Sequence, residues 1–135
     1  IPLPADLPAF QDPRVLPTPA VFLQATGGSL RGNWGLVLGY VAWLYLLNIV
    51  GEEFWWRGYI LPRQELAHGR WTWVLHGVLW TLFHAFKWWY LIGLLPVCLA
   101  FSFAAQRLKN TTPGIVAHFL YNGLSLIPIV FAAIG

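Results

Sequence analysis

The sequence predicts an all-α fold, a polytopic bundle of membrane helices, on three observations. Of the 135 residues, 58% are hydrophobic and only 10% are charged, whereas soluble domains carry about 25% charged residues. From residue 34 onward, long apolar runs alternate with short polar patches. Nine tryptophans are present, several beside charged residues, which is typical of segments that end at the headgroup layer of a membrane.

Four apolar segments follow one another along the chain. The first, about 34–59, is long enough to cross a bilayer, which takes roughly 20 helical residues. The second, 71–86, is short for a full crossing. The third, 88–108, contains Pro96, where we expect a kink, and the fourth covers 113–134. About four transmembrane segments are therefore predicted, together forming a domain from residue 34 to 135.

Residues 1–33 differ in character from the rest of the chain. They hold six of the ten prolines and the Gly27-Gly28 pair. Proline lacks the amide hydrogen that helix interiors and inner strands use, so we predict a loop or irregular surface segment. The chain opens with Ile1 and contains no methionine, which predicts a fragment of a longer protein.

The basic residues indicate an orientation in the membrane. The net charge of +3 comes without a dense basic stripe, so nucleic acid is not an expected partner, whereas membrane lipid is. The first and third connections hold four basic residues, and the second holds only Lys87. Because positive residues concentrate on the cytoplasmic side, we expect the first and third connections there. The four residues are Arg63, Arg70, Arg107 and Lys109.

An adjacent pair of acidic residues stands out within the first apolar segment. Ionisable groups inside membrane helices are costly and usually functional. Arg57 follows Glu53 by four residues, so their side chains meet on one helix face. Glu52 points about 100° away on an ideal helix and is left free to act as a base. The alternative on local grounds is an interfacial Glu53–Arg57 pair with Glu52 solvated at a helix end.

Three further polar residues lie in otherwise apolar segments: His84, His118 and Asn122. The last two are spaced i,i+4 and project from one helix face. At about 1.5 Å per residue from the same membrane face, Glu52 lies roughly 12 Å deep and His84 about 17 Å. Asn122 lies about 13 Å deep and His118 roughly 8 Å. We therefore predict that the four side chains meet in one site on the cytoplasmic side.

The remaining histidines and the cysteine are given structural roles. His76 is predicted to be structural, and His68, in a polar connection, is predicted to be exposed. The single Cys98 excludes an internal disulfide and is predicted to pack in an apolar run.

A carboxylate and a histidine around one water molecule suit hydrolysis, because a base removes the proton while a second group orients the water. A His–Asn pair can donate hydrogen bonds to an oxyanion. Glu52, His84 and His118 are also normal zinc ligands, although the HExxH spacing of common zinc proteases is absent. A zinc site and a metal-free glutamate mechanism therefore both stay open.

The motifs resemble those of one family. EEFWWR at 52–57 matches an EExxxR motif, His84 matches the histidine of FxxxH, and HFLYN at 118–122 matches HxxxN. Together they resemble the CPBP family, the CAAX-protease and bacteriocin-processing membrane proteins also called Abi, across about 34–135. Trp80 stands where this family usually has phenylalanine, an aromatic exchange that keeps the packing role plausible.

The resemblance implies an intramembrane endopeptidase, often labelled a metalloprotease, whose substrate is a peptide or protein. Relatives cleave prenylated CAAX proteins or take part in bacteriocin maturation or self-immunity. Since members of the family are similar to an eight-helix bundle, this chain is expected to be its catalytic half. A bacterial cell membrane is the expected location. The resemblance assigns water activation to Glu52 and His84, oxyanion stabilisation to His118 and Asn122, and support of the site to Glu53 and Arg57.

Other functions remain open at this point. A membrane immunity or scaffold protein would keep the fold without the chemistry. A haem protein would use His84 and His118 as axial ligands, and a transporter would carry protons on Glu52. The identity of the substrate, and whether it is prenylated, does not follow from the sequence.

Overall fold

The computed structural model describes residues 3–135. These residues form helices joined by short turns, and no strand occurs among them. The predicted all-α fold is confirmed.

The N-terminal region contains a helix that the sequence prediction left out. After a short 3-10 helix at Ala9–Gln11, helix α1 covers Pro19–Ala25. Its proline occupies the first turn, where the missing amide hydrogen removes no helical bond. Helix α1 packs against the last helix of the chain, α7 (Leu126–Ile134). The prediction of a separate segment ending at residue 33 stays a prediction.

The first long helical stretch changes its helix type along its length. Asn33 caps its start, because its side-chain Oδ1 accepts the amide of Leu36 at 3.2 Å. Two π-helical segments then follow an ordinary helix, whereas π turns usually occur singly and often at functional sites. In order, these elements are α2 (Trp34–Trp43), the π-helical segments Leu44–Gly51 and Glu53–Ile60, and α3 (Leu61–His68).

The chain reverses its direction at Gly69. This residue has φ +60° and ψ −140°, a conformation that glycine adopts without the steric cost of a Cβ. After the 3-10 turn Gly69–Trp71, helix α4 (Thr72–Phe83) returns along the preceding stretch. Its far end brings the ring of Phe83 to 5.4 Å from that of Trp56. The two stretches therefore form an antiparallel helical hairpin.

The second half of the chain consists of three helices. A 3-10 segment, Ala85–Tyr90, leads into α5 (Leu91–Leu108), which continues through Pro96. Lys109 ends α5 in the left-handed conformation, with φ 51°. Helix α6 (Thr112–Gly123) follows, and then α7.

The number of membrane crossings differs from the prediction. Two helical stretches of the described chain are long and apolar enough to cross a membrane, Trp34–Phe83 and Ala85–Leu108. A third is added if α6 and α7, bent by 44°, count as one span. The predicted four are not confirmed, because the second segment is only the 12-residue α4, about 18 Å long against a hydrocarbon core of roughly 30 Å.

The distribution of polarity is that of an integral membrane protein. Large apolar side chains lie on the outside, with Leu66 91% and Ile92 70% exposed. By contrast, the interior is rich in polar groups, which a bilayer cannot solvate and which therefore turn inward. The largest fully buried side chains are those of Ile49, His76, Glu53, Thr72, Cys98 and Ser102.

Close packing between α4 and α5 depends on Gly77. A Cβ atom added there would lie 2.9 Å from Cα and 3.1 Å from the backbone nitrogen of Leu99. The clash is with backbone, so the two helices would have to separate. We expect Gly77→Ala to lower the free energy of unfolding by roughly 1–3 kcal/mol, the usual cost of overpacking, in thermal unfolding of the detergent-solubilised protein.

The matched control for this prediction is Gly93→Ala in α5, where an added Cβ meets nothing within 4 Å. Alanine there should leave the melting temperature unchanged or raise it slightly, since alanine favours helix by about 0.5–1 kcal/mol over glycine. Equal melting temperatures for the two variants would contradict the close contact.

Candidate active site

Glu53 lies at the centre of a buried polar cluster. Its side chain has no solvent exposure, and its Oε1 lies 3.0 Å from Nη1 of Arg57 and 2.9 Å from Nδ1 of His118. Arg57 is four residues further along the same π-helical segment, so the expected Glu53–Arg57 pair is present. His118 comes from α6. One carboxylate oxygen thus joins two elements that are far apart in the sequence.

The other oxygen of Glu53 lies against the backbone of α6. A Cβ atom added at Gly114 would stand 2.5 Å from Oε2 and 3.3 Å from Cδ of Glu53. Oε2 has no hydrogen-bond partner among the described residues. Glycine at this position therefore makes the room that the buried carboxylate occupies.

Arg57 is held by an aromatic ring as well as by the carboxylate. Its guanidinium carbon lies 3.2 Å from the ring centroid of Trp80 on α4. A cation over an indole face is attracted by the ring quadrupole, and more strongly where water is excluded. Both side chains are almost fully buried. Helix α4 therefore joins the cluster through Trp80.

Glu52 belongs to a second, connected set of hydrogen bonds and is only half-buried. Its Oε1 accepts Nδ2 of Asn48 at 3.0 Å, and its Oε2 accepts Nε1 of Trp80 at 3.2 Å. Asn48 in turn accepts Nδ2 of Asn122 through its Oδ1 at 2.8 Å. Asn122 thus reaches Glu52 through Asn48, a residue that the sequence analysis missed. Its position four residues before Glu52 in an apolar run is the signal that could have found it.

His84 lies at the end of α4 and joins the site through Trp80. Its Nδ1 lies 3.0 Å from the backbone oxygen of Trp80, and the two rings are 5.9 Å apart. Within residues 3–135, no hydrogen bond links His84 to either glutamate. When Nδ1 donates to the carbonyl, Nε2 is left with a free lone pair.

The three residues considered as zinc ligands have separate partners in the structure. Glu52 is bound by Asn48 and Trp80, His118 by Glu53, and His84 by a backbone oxygen. In the part of the chain that the structure describes, no group of three or more His, Cys, Asp or Glu side chains is arranged to hold a metal ion. The proposed ligand set therefore does not fit a zinc centre in this geometry.

The other residues with predicted structural roles lie outside the two hydrogen-bonded sets. His76 is fully buried, with Nδ1 2.6 Å from Oε1 of Gln64 and its ring edge-on to Trp56. His68 is exposed, and Cys98 is fully buried in an apolar cluster. The predictions of an exposed His68 and a packed Cys98 are confirmed.

A buried carboxylate paired with an arginine and a histidine, inside helices with apolar outer faces, defines an integral membrane protein with an internal polar site. The chain belongs to the Rce1-like family of type II CAAX prenyl endopeptidases, whose family model matches residues 33–124. The predicted kinship with CAAX proteases is confirmed. No curated protein and no solved structure is significantly similar to the chain. The family is one of proteases, which supports a hydrolase activity in a membrane setting.

The contact between Gly114 and Glu53 predicts that any side chain at residue 114 will displace the carboxylate and destabilise the fold. We expect Gly114→Ala to push the carboxylate away from His118 and Arg57, because Oε2 would lie 2.5 Å from the new Cβ. The free energy of unfolding should fall by about 1–3 kcal/mol, measured by thermal or denaturant unfolding in detergent.

Gly58→Ala is the matched control, beside Arg57 in the same cluster region. Its added Cβ would lie 3.6 Å or more from every neighbour, which is ordinary van der Waals contact. Its stability should stay close to that of the unmodified chain. A Gly114→Ala protein as stable as Gly58→Ala would show that Glu53 is not confined by α6.

Proposed function

We propose that this chain is an intramembrane endopeptidase of the CAAX type, in which Glu52 activates the attacking water. The observation that carries the proposal is the unequal surroundings of two adjacent glutamates. Glu53 is fully buried against Arg57 and His118. Glu52 is half-buried and, among the described residues, is hydrogen-bonded by two neutral donors. Two carboxylates in such different surroundings suit different tasks.

Glu52 is suited to be the general base. Its two hydrogen bonds, from Asn48 and Trp80, use one lone pair on each oxygen. An ionised carboxylate offers about four acceptor positions, so lone pairs remain for a water molecule. On attack, that water would transfer a proton to Glu52 as its oxygen bonds to the scissile carbonyl carbon. The proton would then pass to the departing amine, which completes the cleavage.

His118 and Asn122 are suited to stabilise the oxyanion. Glu53 as a carboxylate accepts from Nδ1 of His118, which fixes the ring and points Nε2 elsewhere. Nε2 donates to an oxyanion when the ring carries both protons. Asn122 uses one amide hydrogen on Asn48 and keeps the other. Donors aimed at the developing charge are commonly worth a factor of about 100–1000 in rate each.

His84 is proposed to orient the water through Nε2, because its Nδ1 is engaged with the backbone oxygen of Trp80. Glu53 and Arg57 are proposed to hold the site together. An active site on the cytoplasmic side and a bacterial cell membrane as its location remain proposals. Membership in the Abi branch and the bacteriocin-processing role also remain proposals.

The deciding substitution is Glu52→Gln, which keeps the size and shape of the side chain but removes the carboxylate that acts as the base. We expect kcat/KM to fall at least about 100-fold, the usual contribution of general base catalysis. The assay is cleavage of a farnesylated CAAX peptide by the full chain in lipid vesicles, with the unprenylated peptide in parallel. The parallel peptide shows whether the lipid group is recognised.

The control is Glu65→Gln, because Glu65 is the one other acidic residue after Trp34. It binds Lys109 and Gln106 and has no contact with Glu52. Its activity should be close to that of the unmodified chain. Unchanged cleavage by Glu52→Gln would refute the catalytic role and favour an immunity or scaffold function. Each assay is repeated with a zinc chelator, since activity that survives chelation but not the substitution supports a metal-free mechanism.

A further inference from the structure

Trp80 contacts three charged or polar residues of the proposed site. Its indole Nε1 donates to Glu52 at 3.2 Å, its ring face covers the guanidinium of Arg57 at 3.2 Å, and its backbone oxygen binds His84 at 3.0 Å. Only 3% of its surface is exposed. We propose that Trp80 is a positioning residue, whose indole N–H sets the orientation of the Glu52 carboxylate. This proposal rests on the proposed function of Glu52.

The indole is itself held in place. The guanidinium of Arg57 lies over its face, and the rings of Phe101 and His118 lie at centroid distances of 6.1 and 5.9 Å. A buried ring packed among these neighbours keeps its N–H in one direction. Glu52 has several rotatable bonds, and it becomes fixed only when both of its oxygens are bound, one by Asn48 and one by Trp80.

A phenylalanine at this position would retain the ring face over Arg57 but would have no N–H to donate. Glu52 would then be held by Asn48 alone. Misplacing a catalytic group by about 1 Å can cost 100-fold in rate, whereas substrate binding does not depend on that orientation. The loss should therefore appear in kcat and leave KM unchanged.

The first test compares Trp80→Phe with the unmodified chain in the peptide assay. We expect kcat to fall about 10- to 100-fold, with KM unchanged and a melting temperature close to that of the unmodified chain. Trp43→Phe serves as the control, because Trp43 is 52% exposed and, among the aromatic rings that the structure describes, contacts only Tyr40. Normal kcat in Trp80→Phe, alongside inactive Glu52→Gln, would overturn the role of Trp80 and leave the proposed function intact.

The second test needs no activity and probes the hydrogen bond itself. In protein with 15N-labelled tryptophan, Trp80→Phe identifies the indole cross-peak that belongs to residue 80. Glu52→Ala should move that peak upfield in the proton dimension, because the N–H loses its carboxylate acceptor. An unmoved peak would overturn the proposal. Active Glu52→Gln would instead refute the base assignment, while this spectrum still reports on the bond.

A second inference comes from a cavity outside the site. A cavity of about 540 Å³ opens where α3 ends, α4 begins and α5 ends. Three of its side chains are cationic and one is anionic. The residues that line it are Glu65, Arg70, Trp71, Trp73, Phe103, Gln106, Arg107 and Lys109.

The charge in this cavity is not balanced from within. The carboxylate of Glu65 is bound by Lys109 and by Nε2 of Gln106. Among the described residues, no ion pair joins Arg70 or Arg107 to a carboxylate. Two guanidinium groups are therefore free to bind an anion, and the planar guanidinium matches the oxygen pairs of phosphate.

The wall of the cavity is aromatic. The rings of Trp73 and Phe103 meet edge to face at 5.3 Å, and Trp71 lies 5.3 Å from the guanidinium of Arg70. Tryptophan beside arginine is the composition of a membrane interface. We infer that this cavity binds the phosphate headgroup of an anionic phospholipid, with the aromatic wall against the glycerol and the first acyl carbons.

The test is native mass spectrometry of the detergent-solubilised chain with phosphatidylglycerol or phosphatidylcholine. We expect retention of phosphatidylglycerol to exceed that of phosphatidylcholine. It should fall about 30-fold in the double variant Arg70→Gln/Arg107→Gln, since each interfacial cation contributes about 1 kcal/mol and two are removed. The control is Lys87→Gln, a cation at the opposite end of the α4–α5 pair. Equal retention of the two lipids, or an equal loss in Lys87→Gln, would overturn the proposal. Displacement of the lipid by inorganic phosphate would also overturn it, in favour of free phosphate as the ligand.

Discussion

The buried carboxylate of Glu53 is the constraint on which the rest of the structure depends. A charge removed from water costs several kcal/mol unless it is paired and hydrogen-bonded, and the bilayer supplies no partner. The partners of this carboxylate are Arg57, from the same helical stretch, and His118, from α6. Gly114 leaves the space that the carboxylate occupies. Trp80 covers Arg57 from α4. Three helical elements thus meet at one point, around a single buried side chain and its partners.

The same constraint leaves Glu52 available. Because Glu53 takes the two charged or chargeable partners, the hydrogen bonds to Glu52 within residues 3–135 come from the amide of Asn48 and the indole of Trp80. Two residues adjacent in sequence therefore have opposite surroundings, one enclosed and one half-buried. The ion pair and the proposed base are coupled through Trp80, which touches both. Removing one partner of such a buried pair is expected to disturb the base as well as the fold.

Much of this arrangement could be predicted from the sequence, because polar and charged side chains in apolar helices need hydrogen-bonding or charged partners. The spacing of Glu53 and Arg57 predicted their pair, and helical rise placed Glu52 and Asn122 at similar depth. The number of crossings was not predictable in this way. Hydropathy measures apolar content but not where a helix ends or bends, so it could not show that α4 ends at Phe83 or that the chain bends by 44° between α6 and α7.

What escaped the sequence analysis depends on partners that only the fold supplies. Trp80 was interpreted as an aromatic exchange with a packing role, since sequence does not show where an indole N–H points. Gly77 and Gly114 carry no sign of the atoms that crowd them, Leu99 and Glu53. These positions share one physical property. Each one makes a close contact, at a distance of about 3 Å, with another helix. In a protein whose outer surface is apolar and whose interior is polar, such contacts hold the helices together and position the proposed catalytic groups. Stability and activity should therefore be hard to separate by mutation at the two glycines, whereas at Trp80 the indole N–H can be removed while a ring over Arg57 is kept.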